Sequence, residues 1–419
     1  MPISGCLARA IISWPMGQTA VRRALSVAAG SLLLFAAATT SAPAQPIYPA
    51  PDPDPFYAAP ADIAEHKPGD VLATKPLPPL DIFPDTDITL IKFRSTNSEG
   101  KPIAATTTVL TPRKRAADGP LLSYQTIING LGADCGVSHV LYTKNPDLMV
   151  REAPAYNVVL QRGWSIAMPD HLGPQFAYGA ARLGGQITLD GIRAVQHAAD
   201  LKLEHSPVTM AGYSGGGMAT AWAAALAPVY APDLRIAGAA AGGVPMNMVK
   251  MLEGLGYGSH PAFGLAMAAG LGLEREYPDR FPLSDQLNDK GMAVRQVMAN
   301  SCTNGLLAAG AGHGVSEFAK TTSMIEDPVA RKVVEDNSLE LYTDSVPNMP
   351  VFEWHSPIDG LIPVDSIVNT DRRWCQAGVT VQSEAIPVPD HLTAAVLGLP
   401  QVLSWLDGRM HAQPVPSNC

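Results

Sequence analysis

The feature that most constrains the fold of this chain is a Gly-x-Ser-x-Gly motif at residues 212–216. An apolar, β-prone segment precedes the motif, and an alanine-rich helical pattern follows it through Trp222 to Leu226. A strand, a sharp turn and a helix in this order are typical of a nucleophile elbow. The flanking glycines relieve the Cβ clashes of such a strained turn. The motif therefore predicts a nucleophilic Ser214, and a turn that only packs helix on sheet is the alternative.

Segments with strand and helix patterns alternate along most of the chain, which predicts an α/β fold with a mostly parallel sheet covered on both faces. Residues 88–94 and 104–110 favour a hairpin. Further strands are expected at residues 121–128, 165–168, 208–213, 236–243, 350–354 and 379–386. Strand signals fade over residues 246–348, where apolar helical stretches rich in Gly and Met predict an inserted cap. Phe263 and Met267 are candidate substrate-binding side chains there, and ordinary core packing is the alternative.

The amino-terminal residues have the pattern of an export signal. Arg22 and Arg23 precede an apolar run at residues 24–38, and small residues around Ala44 offer a cleavage site. We expect residues 1–44 to be a signal peptide, with an uncleaved anchor as the alternative. Residues 45–75 are interpreted as a Pro-rich extended leader, residues 76–245 and 349–419 as the two parts of the core, and residues 246–348 as the cap.

Charge and cysteine content narrow the function classes. The formal net charge is −9, and because residues 1–44 carry three arginines and no acidic residue, the remainder carries −12. An acidic chain without a basic patch argues against nucleic acid as a partner.

Beyond the signal, four cysteines remain, which in an exported protein favours two disulfides with three pairings open: Cys135, Cys302, Cys375 and Cys419. No Cys-x-x-Cys motif occurs, and no metal or cofactor is expected.

A nucleophilic serine needs a histidine base, and the histidine needs a carboxylate to hold its tautomer. Asp359 and His391 each follow a predicted strand in the order Ser, acid, His, so both are expected at the carboxyl edge of the sheet with Ser214. Asp365 and Asp390 are rival acids. His171 and His355 are weaker base candidates, because no acid strand precedes either in the expected order.

The oxyanion of the reaction needs two hydrogen-bond donors. The backbone N–H of Gly215, next after the serine, is expected to be one of them. The second is expected from the loop after residues 121–128, where Asn129 could add its side-chain amide. The alternative is that this Asn-Gly pair is only a turn.

Several motifs together resemble the secretory lipase family of the fungal lipase A type. The similar segments, in order from about residue 75, are Ser123-Tyr124-Gln125 with Cys135, Asp170-His171, residues 212–216, Gly242-Gly243-Val244-Pro245, Trp354-His355 with Asp359 and Pro363, and His391-Leu392-Thr393-Ala394.

The resemblance implies an α/β-hydrolase core, a helical lid and hydrolysis of carboxylic esters, including triacylglycerols. It also implies a triad of Ser214, Asp359 and His391, with Gly215 as one oxyanion donor, and the disulfides Cys135–Cys302 and Cys375–Cys419. The fungal enzyme has Asp at the position of Asn129, so a charge beside the oxyanion is lost here. The lid segment matches least, so chain-length preference does not carry over.

The leading interpretation is therefore a secreted serine esterase or lipase whose partner is an ester or lipid, with transient contact at a lipid interface. An acyltransferase or peptidase with the same triad is one alternative. A non-catalytic envelope-binding protein is another, and the presence of all three triad residues argues against it. The natural ester and the oligomeric state do not follow from the sequence.

Overall fold

The computed structural model describes residues 48–145, 152–321 and 326–419, so the expected signal peptide lies outside the described residues. The described residues form a nine-stranded sheet in the order β1-β2-β3-β5-β4-β6-β7-β8-β9. The strands are β1 (Val71–Leu77), β2 (Thr86–Thr96), β3 (Pro102–Pro112), β4 (Leu121–Gln125), β5 (Ser165–Pro169), β6 (Val208–Tyr213), β7 (Ile236–Gly242), β8 (Val351–His355) and β9 (Val381–Ala385).

The sheet changes character along its width. The β1-β2, β2-β3 and β3-β5 pairs are antiparallel, and every pair from β5 to β9 is parallel. The central strands β4, β5 and β6 are buried along their whole length, as parallel strands covered on both faces require. The predicted hairpin is confirmed by the register of β2 and β3, in which Ile91 pairs with Thr107.

The boundary expected for the extended leader at residue 75 is wrong, because it falls inside β1. The pair Lys75-Pro76 does not resemble a strand in the sequence, since proline has no N–H to donate to a neighbouring strand. The strand lies at the sheet edge, which is where proline is tolerated.

Helices cover both faces of the sheet. They are α1 (Val137–Val140), α2 (Ala153–Gln161), α3 (Ala181–His197), α4 (Gly215–Tyr230), α5 (Met248–Gly256), α6 (Phe263–Glu276), α7 (Leu283–Gln286), α8 (Asp289–Met298), α9 (Thr303–Gly310), α10 (Val315–Phe318), α11 (Pro328–Asp336), α12 (Val364–Gln376) and α13 (His391–Met410). Alternate side chains of β4 enter two separate cores: Leu121 belongs to the core that contains residues of α3, α4 and α12, whereas Leu122 belongs to the core that contains residues of α2 and α13.

Helices α5 to α11 lie between β7 and β8 in the chain, in the segment expected to form the cap. The described residues of this segment contribute no strand to the central sheet, although isolated bridges link His260 to His313 and Leu287 to Ala319. Their buried side chains, among them Phe263, Leu271 and Met298, join the same core as α3 and α4. The segment is thus helical, and its apolar interior is continuous with one face of the sheet.

Two disulfides tie distant parts of the chain together. Cys135, just after β4, is bonded to Cys302 in the helical segment, and Cys375 of α12 is bonded to Cys419. The Cα–Cα distance is 5.4 Å in both, within the usual range. Near the second bond, Asn418 lies along β9: its N–H donates to Val381 O at 3.1 Å, and its side-chain oxygen accepts from Ser383 N at 2.9 Å.

Within the described residues, no helix is both long enough and apolar enough to span a bilayer.

Candidate active site

Ser214 occupies a sharp turn between a strand and a helix. Strand β6 ends at Tyr213 and α4 begins at Gly215, and between them Ser214 has φ 57° and ψ −123°. This positive φ is strained for a residue with a side chain, and such strain concentrates at functional sites. A Cβ at residue 212 would lie 2.5 Å from Gly216 O, and one at residue 216 would lie 2.0 Å from Gln125 O. Both glycines are therefore required by close backbone approach.

Asp359 and His391 form a buried pair although 32 residues separate them. Asp359 follows β8, and His391 is the first residue of α13, after β9. The Nδ1 atom of His391 lies 2.6 Å from Oδ2 of Asp359, and the two side chains are 6% and 0% exposed. Because β8 and β9 are parallel neighbours, the loops after them leave the same edge of the sheet.

The Asp359 carboxylate is held in its ionised form. Burial alone would raise its pKa, but the hydrogen bond to His391 and the backbone N–H groups of Leu361 and Ile362 outweigh burial and lower the pKa below its usual value. Those two amides donate to Oδ1 at 2.8 and 3.1 Å. Oδ2 is thus left to accept from the imidazole, which fixes the ring with Nε2 as its free nitrogen.

His391 Nε2 is buried and has no hydrogen-bond partner among the described residues. Together with Ser214 and Gly215 it lines a cavity that we call the nucleophile cavity. Tyr213 was not singled out by sequence reasoning, yet its hydroxyl donates to His391 O at 2.6 Å and its ring lies 4.9 Å from the imidazole. The only sequence signal for this contact with His391 is the position of Tyr213 directly before the serine.

The rival acids are engaged elsewhere. Asp365 is largely exposed and forms an ion pair with Lys250 at 2.6 Å. Asp390 caps the N-terminus of α13 by accepting from Thr393 N at 2.9 Å. Of the three, only Asp359 is hydrogen-bonded to the imidazole of His391.

The rival histidines are also held by other groups. His171 Nε2 lies 2.9 Å from Thr126 O, and burial lowers the pKa of His171, which favours the neutral ring donating to that carbonyl. His355 Nδ1 lies 2.7 Å from a carboxylate oxygen of Glu353 on β8. Neither residue lines the nucleophile cavity.

The two residues expected to form the oxyanion hole, Gly215 and Asn129, line different cavities. Gly215 lines the nucleophile cavity and packs on Ile128, since a Cβ at residue 215 would lie 2.1 Å from that side chain. Asn129, next to Ile128, instead lines a neighbouring cavity with Asp170 and His171. Its backbone carbonyl accepts from both N and Oγ1 of Thr303, at 2.6 and 2.8 Å.

The helical segment forms the apolar wall over Ser214. Its contribution to the nucleophile cavity consists of Met248, Met251, Leu252, Leu255, Leu265, Ala266 and Ala269. Phe263 and Met267 do not reach this cavity. They line a second apolar space, the cap cavity, between α5, α6 and α11. Leu252 and Ala266 line both cavities, so the two are adjacent.

In the part of the chain that the structure describes, no group of three His, Cys, Asp or Glu side chains is arranged to hold a metal ion.

Comparison with known proteins decides the family. The family model described as secretory lipase matches residues 151–418. The chain belongs to the secretory lipase family. This secretory lipase is 31% identical to lipase 6 of Candida albicans over 389 residues, covering 88% of this chain and 83% of that protein. It is 30% identical to a secreted triacylglycerol lipase of Malassezia restricta, covering 87% of this chain and 80% of that protein.

Structural comparison agrees with the family. Lipase A of Candida antarctica in its closed state is similar to this secretory lipase with a TM-score of 0.82 and 27% identity, covering 87% of each chain. The α/β-hydrolase fold expected from the sequence is thus confirmed, and the protein is an enzyme that hydrolyses ester bonds.

Proposed function

We propose that this secretory lipase hydrolyses carboxylic esters, triacylglycerols among them, through a Ser214–His391–Asp359 triad and an acyl-enzyme. The observation that carries the proposal is the buried Asp359–His391 pair, because its histidine has an unpartnered Nε2 and lines the same cavity as Ser214. The family and the relative named as a triacylglycerol lipase support the substrate class.

The chemistry proceeds in two halves. Ser214 Oγ attacks the ester carbonyl carbon while His391 Nε2 takes the hydroxyl proton, and the resulting imidazolium is stabilised by Asp359. The imidazolium then protonates the leaving alcohol, and an ester of Ser214 with the acyl group remains. Water, deprotonated by His391, attacks this ester, and the proton returns to Ser214 as the carboxylic acid leaves.

Two features, one of the backbone and one of side-chain packing, support an oxyanion hole beside Ser214. Gly215 N–H stands at the start of α4, where free amides and the helix dipole favour negative charge. Ile128 packs directly on Gly215, so the second donor is assigned to the loop at Ile128–Asn129. The Asn129 side chain is neutral and would supply an N–H rather than a charge.

We assign residues 246–348 to a cap that binds the acyl chain. An acyl group on Ser214 would pass between Leu252 and Ala266 into the cap cavity, whose far part contains Phe263 and Met267. Each methylene buried there contributes about 0.8 kcal/mol to binding. These two residues therefore select the length of the chain without touching the reacting atoms.

Exposed apolar side chains beside the triad support transient contact with a lipid surface. Ile358 is 66% exposed next to Asp359, and Leu392 is 53% exposed next to His391. The enzyme is proposed to act outside the cell after removal of residues 1–44, in keeping with the secretory family.

The test combines a mutation with covalent labelling. Ser214→Ala should lower kcat by several orders of magnitude on p-nitrophenyl butyrate and on emulsified triolein, while the circular dichroism spectrum and Tm stay unchanged. An alkyl phosphonate should label the wild type at Ser214, as mapped by mass spectrometry. A folded Ser214→Ala variant that keeps its activity, or an adduct on another serine, would overturn the triad.

A further inference from the structure

The loop of residues 126–131, which leads from β4 into the oxyanion region, is held from several sides. His171 binds Thr126 O from the core, as described above. A carboxylate oxygen of Glu152 accepts from Ile127 N at 3.1 Å. The next residue whose backbone is fixed is Asn129, and there the partner is Thr303, the first residue of α9 in the cap.

Thr303 contacts the loop with both of its donors. Its N–H lies 2.6 Å and its hydroxyl 2.8 Å from the same carbonyl oxygen of Asn129. Two donors converging on one carbonyl restrict rotation of the backbone at Asn129 more than one bond would, because both bonds must break before the carbonyl turns. Asn129 directly follows Ile128, which packs on Gly215.

The surrounding backbone makes this contact unusually close. Gly130 and Cys302 form an antiparallel bridge, and Leu131 N donates to Ser301 O at 3.0 Å. A Cβ at residue 130 would lie 2.5 Å from Ser301 O and 2.6 Å from the Cys302 Cα. The cap segment therefore adds a short strand-like edge to the oxyanion loop.

A second cap residue fixes the far end of the same loop. The guanidinium of Arg275 on α6 donates to Leu131 O at 2.6 Å and to Ala299 O at 2.5 Å. It also donates to the carbonyls of Gln175 and Phe176. Its partners are thus carbonyls of the loop, the cap and the core, and the guanidinium joins all three.

We propose that Thr303 is a positioning residue for the oxyanion hole, so that the cap contributes to the rate of bond cleavage as well as to the choice of acyl chain. This inference rests on the proposed triad and on the assignment of the second oxyanion donor to the Ile128–Asn129 loop. Thr303 touches no reacting atom; it acts through the Asn129 carbonyl. A loop free to rotate there would present its donor less often in the geometry that the tetrahedral intermediate needs.

Two substitutions at residue 303 remove the donors in steps. Thr303→Val deletes the hydroxyl and keeps the N–H. Thr303→Pro deletes both, and the local helix geometry tolerates it, because residue 303 is the first of α9 and Cys302 before it is extended at φ −87° and ψ 174°. Its Cδ replaces the hydrogen that now points at Asn129 O, 2.6 Å from the nitrogen, so this variant also pushes the Asn129 carbonyl away. Thr303→Ser keeps both donors.

Ser259→Ala is the matched control, because the Ser259 hydroxyl that it removes donates to Gly312 O at 2.6 Å, entirely within the cap.

The substrate is p-nitrophenyl acetate, whose acyl group is too short to reach the cap cavity. We expect Thr303→Val to lower kcat about three- to tenfold and Thr303→Pro further, with KM within about twofold. A trifluoromethyl ketone, which adds Ser214 to form an oxyanion, should lose affinity by the same factors. Thr303→Ser and Ser259→Ala should match the wild type in both measurements.

The outcomes separate this inference from the proposed function. If Ser214→Ala is inactive while Thr303→Val and Thr303→Pro keep kcat and inhibitor affinity within twofold, the positioning role is wrong and the triad stands. Equal losses in Ser259→Ala and Thr303→Val would also overturn it, since any weakening of the cap would then suffice. Peptide mapping of the Cys135–Cys302 bond and Tm establish folding, and should Thr303→Pro fail to fold, Thr303→Val decides.

Discussion

The Nδ1 atom of His391 lies 2.6 Å from Oδ2 of Asp359, and the other carboxylate oxygen is occupied by two backbone amides. The carboxylate is therefore oriented before substrate arrives, and its bond to Nδ1 leaves Nε2 of His391, a residue that lines the nucleophile cavity, without a partner among the described residues. Orientation and charge at this residue are separable, because asparagine preserves the shape and removes the charge.

We predict that Asp359→Asn lowers kcat on p-nitrophenyl butyrate about 10³- to 10⁴-fold, since an amide can donate to Nδ1 and favour the wrong tautomer. Asp365→Asn and Asp390→Asn are the controls. Asp365 is paired with Lys250 at the surface, and asparagine still caps α13 at residue 390, so both should stay within about threefold. Comparable losses in either control would show that the acid is misassigned.

The cap cavity should set chain length. Met267→Trp fills the space next to Phe263, so kcat/KM on p-nitrophenyl decanoate should fall at least tenfold, while that on the acetate changes less than twofold. Val297→Trp is the control, because Val297 is an exposed cap residue at 64%. Equal slowing of both esters by Met267→Trp would mean that this part of the cap only supports the fold.

The mature enzyme should contain no free thiol. Thiol titration of the denatured, unreduced protein should give zero, and peptide mapping should link Cys135 to Cys302 and Cys375 to Cys419. Replacing Cys135 and Cys302 by serine should reduce the free energy of unfolding by roughly 2–4 kcal/mol, as measured in urea. A peptide joining Cys135 to Cys375 would contradict the pairing.

The pH dependence of stability should carry the signature of Asp371 on α12. Both of its carboxylate oxygens are buried without a partner among the described residues, and burial, followed by the charge of Glu353, raises its pKa well above the usual value. The folded state therefore holds the proton that the unfolded state releases, and stability is lost as pH rises from the unfolded pKa toward the folded one.

Asp371→Asn imitates the protonated carboxyl at every pH. Its Tm relative to the wild type should therefore rise between pH 4 and pH 8, whereas the exposed Asp365→Asn should show no such trend. Parallel curves for the wild type and Asp371→Asn would show that the buried carboxyl does not titrate over this range.

The parts of the site that the sequence predicted depend on local pattern or on sheet geometry. The turn at Ser214 can be predicted from a short segment, because the glycines that its close backbone contacts require lie within two residues of the serine. Asp359 and His391 were found because strand ends of a parallel sheet meet at one edge.

The parts that the sequence did not predict depend on contacts between distant segments. Thr303 lies 174 residues from Asn129, and nothing near either residue marks the contact. Apolar character alone marks Phe263 and Met267 in the sequence, and it cannot distinguish the cavity at Ser214 from the adjacent cap cavity. Strand β1 is not predicted by the sequence, because Pro76 is typical of a strand break and is tolerated only at the sheet edge where this strand lies.

Asn418 lies along β9 beside the Cys375–Cys419 bond, and its position there also bears on self-association of the protein through the sheet edge. An outer strand with open N–H and C=O groups is a template for edge-to-edge addition of another chain. At β9 the backbone of Val381 and Ser383 is already engaged by Asn418, and at the opposite edge β1 carries Lys75 and Pro76. Because the bond tethers Asn418 to this edge, we expect its reduction to free the backbone groups of β9 and to favour self-association, so that the bond acts against aggregation as well as unfolding.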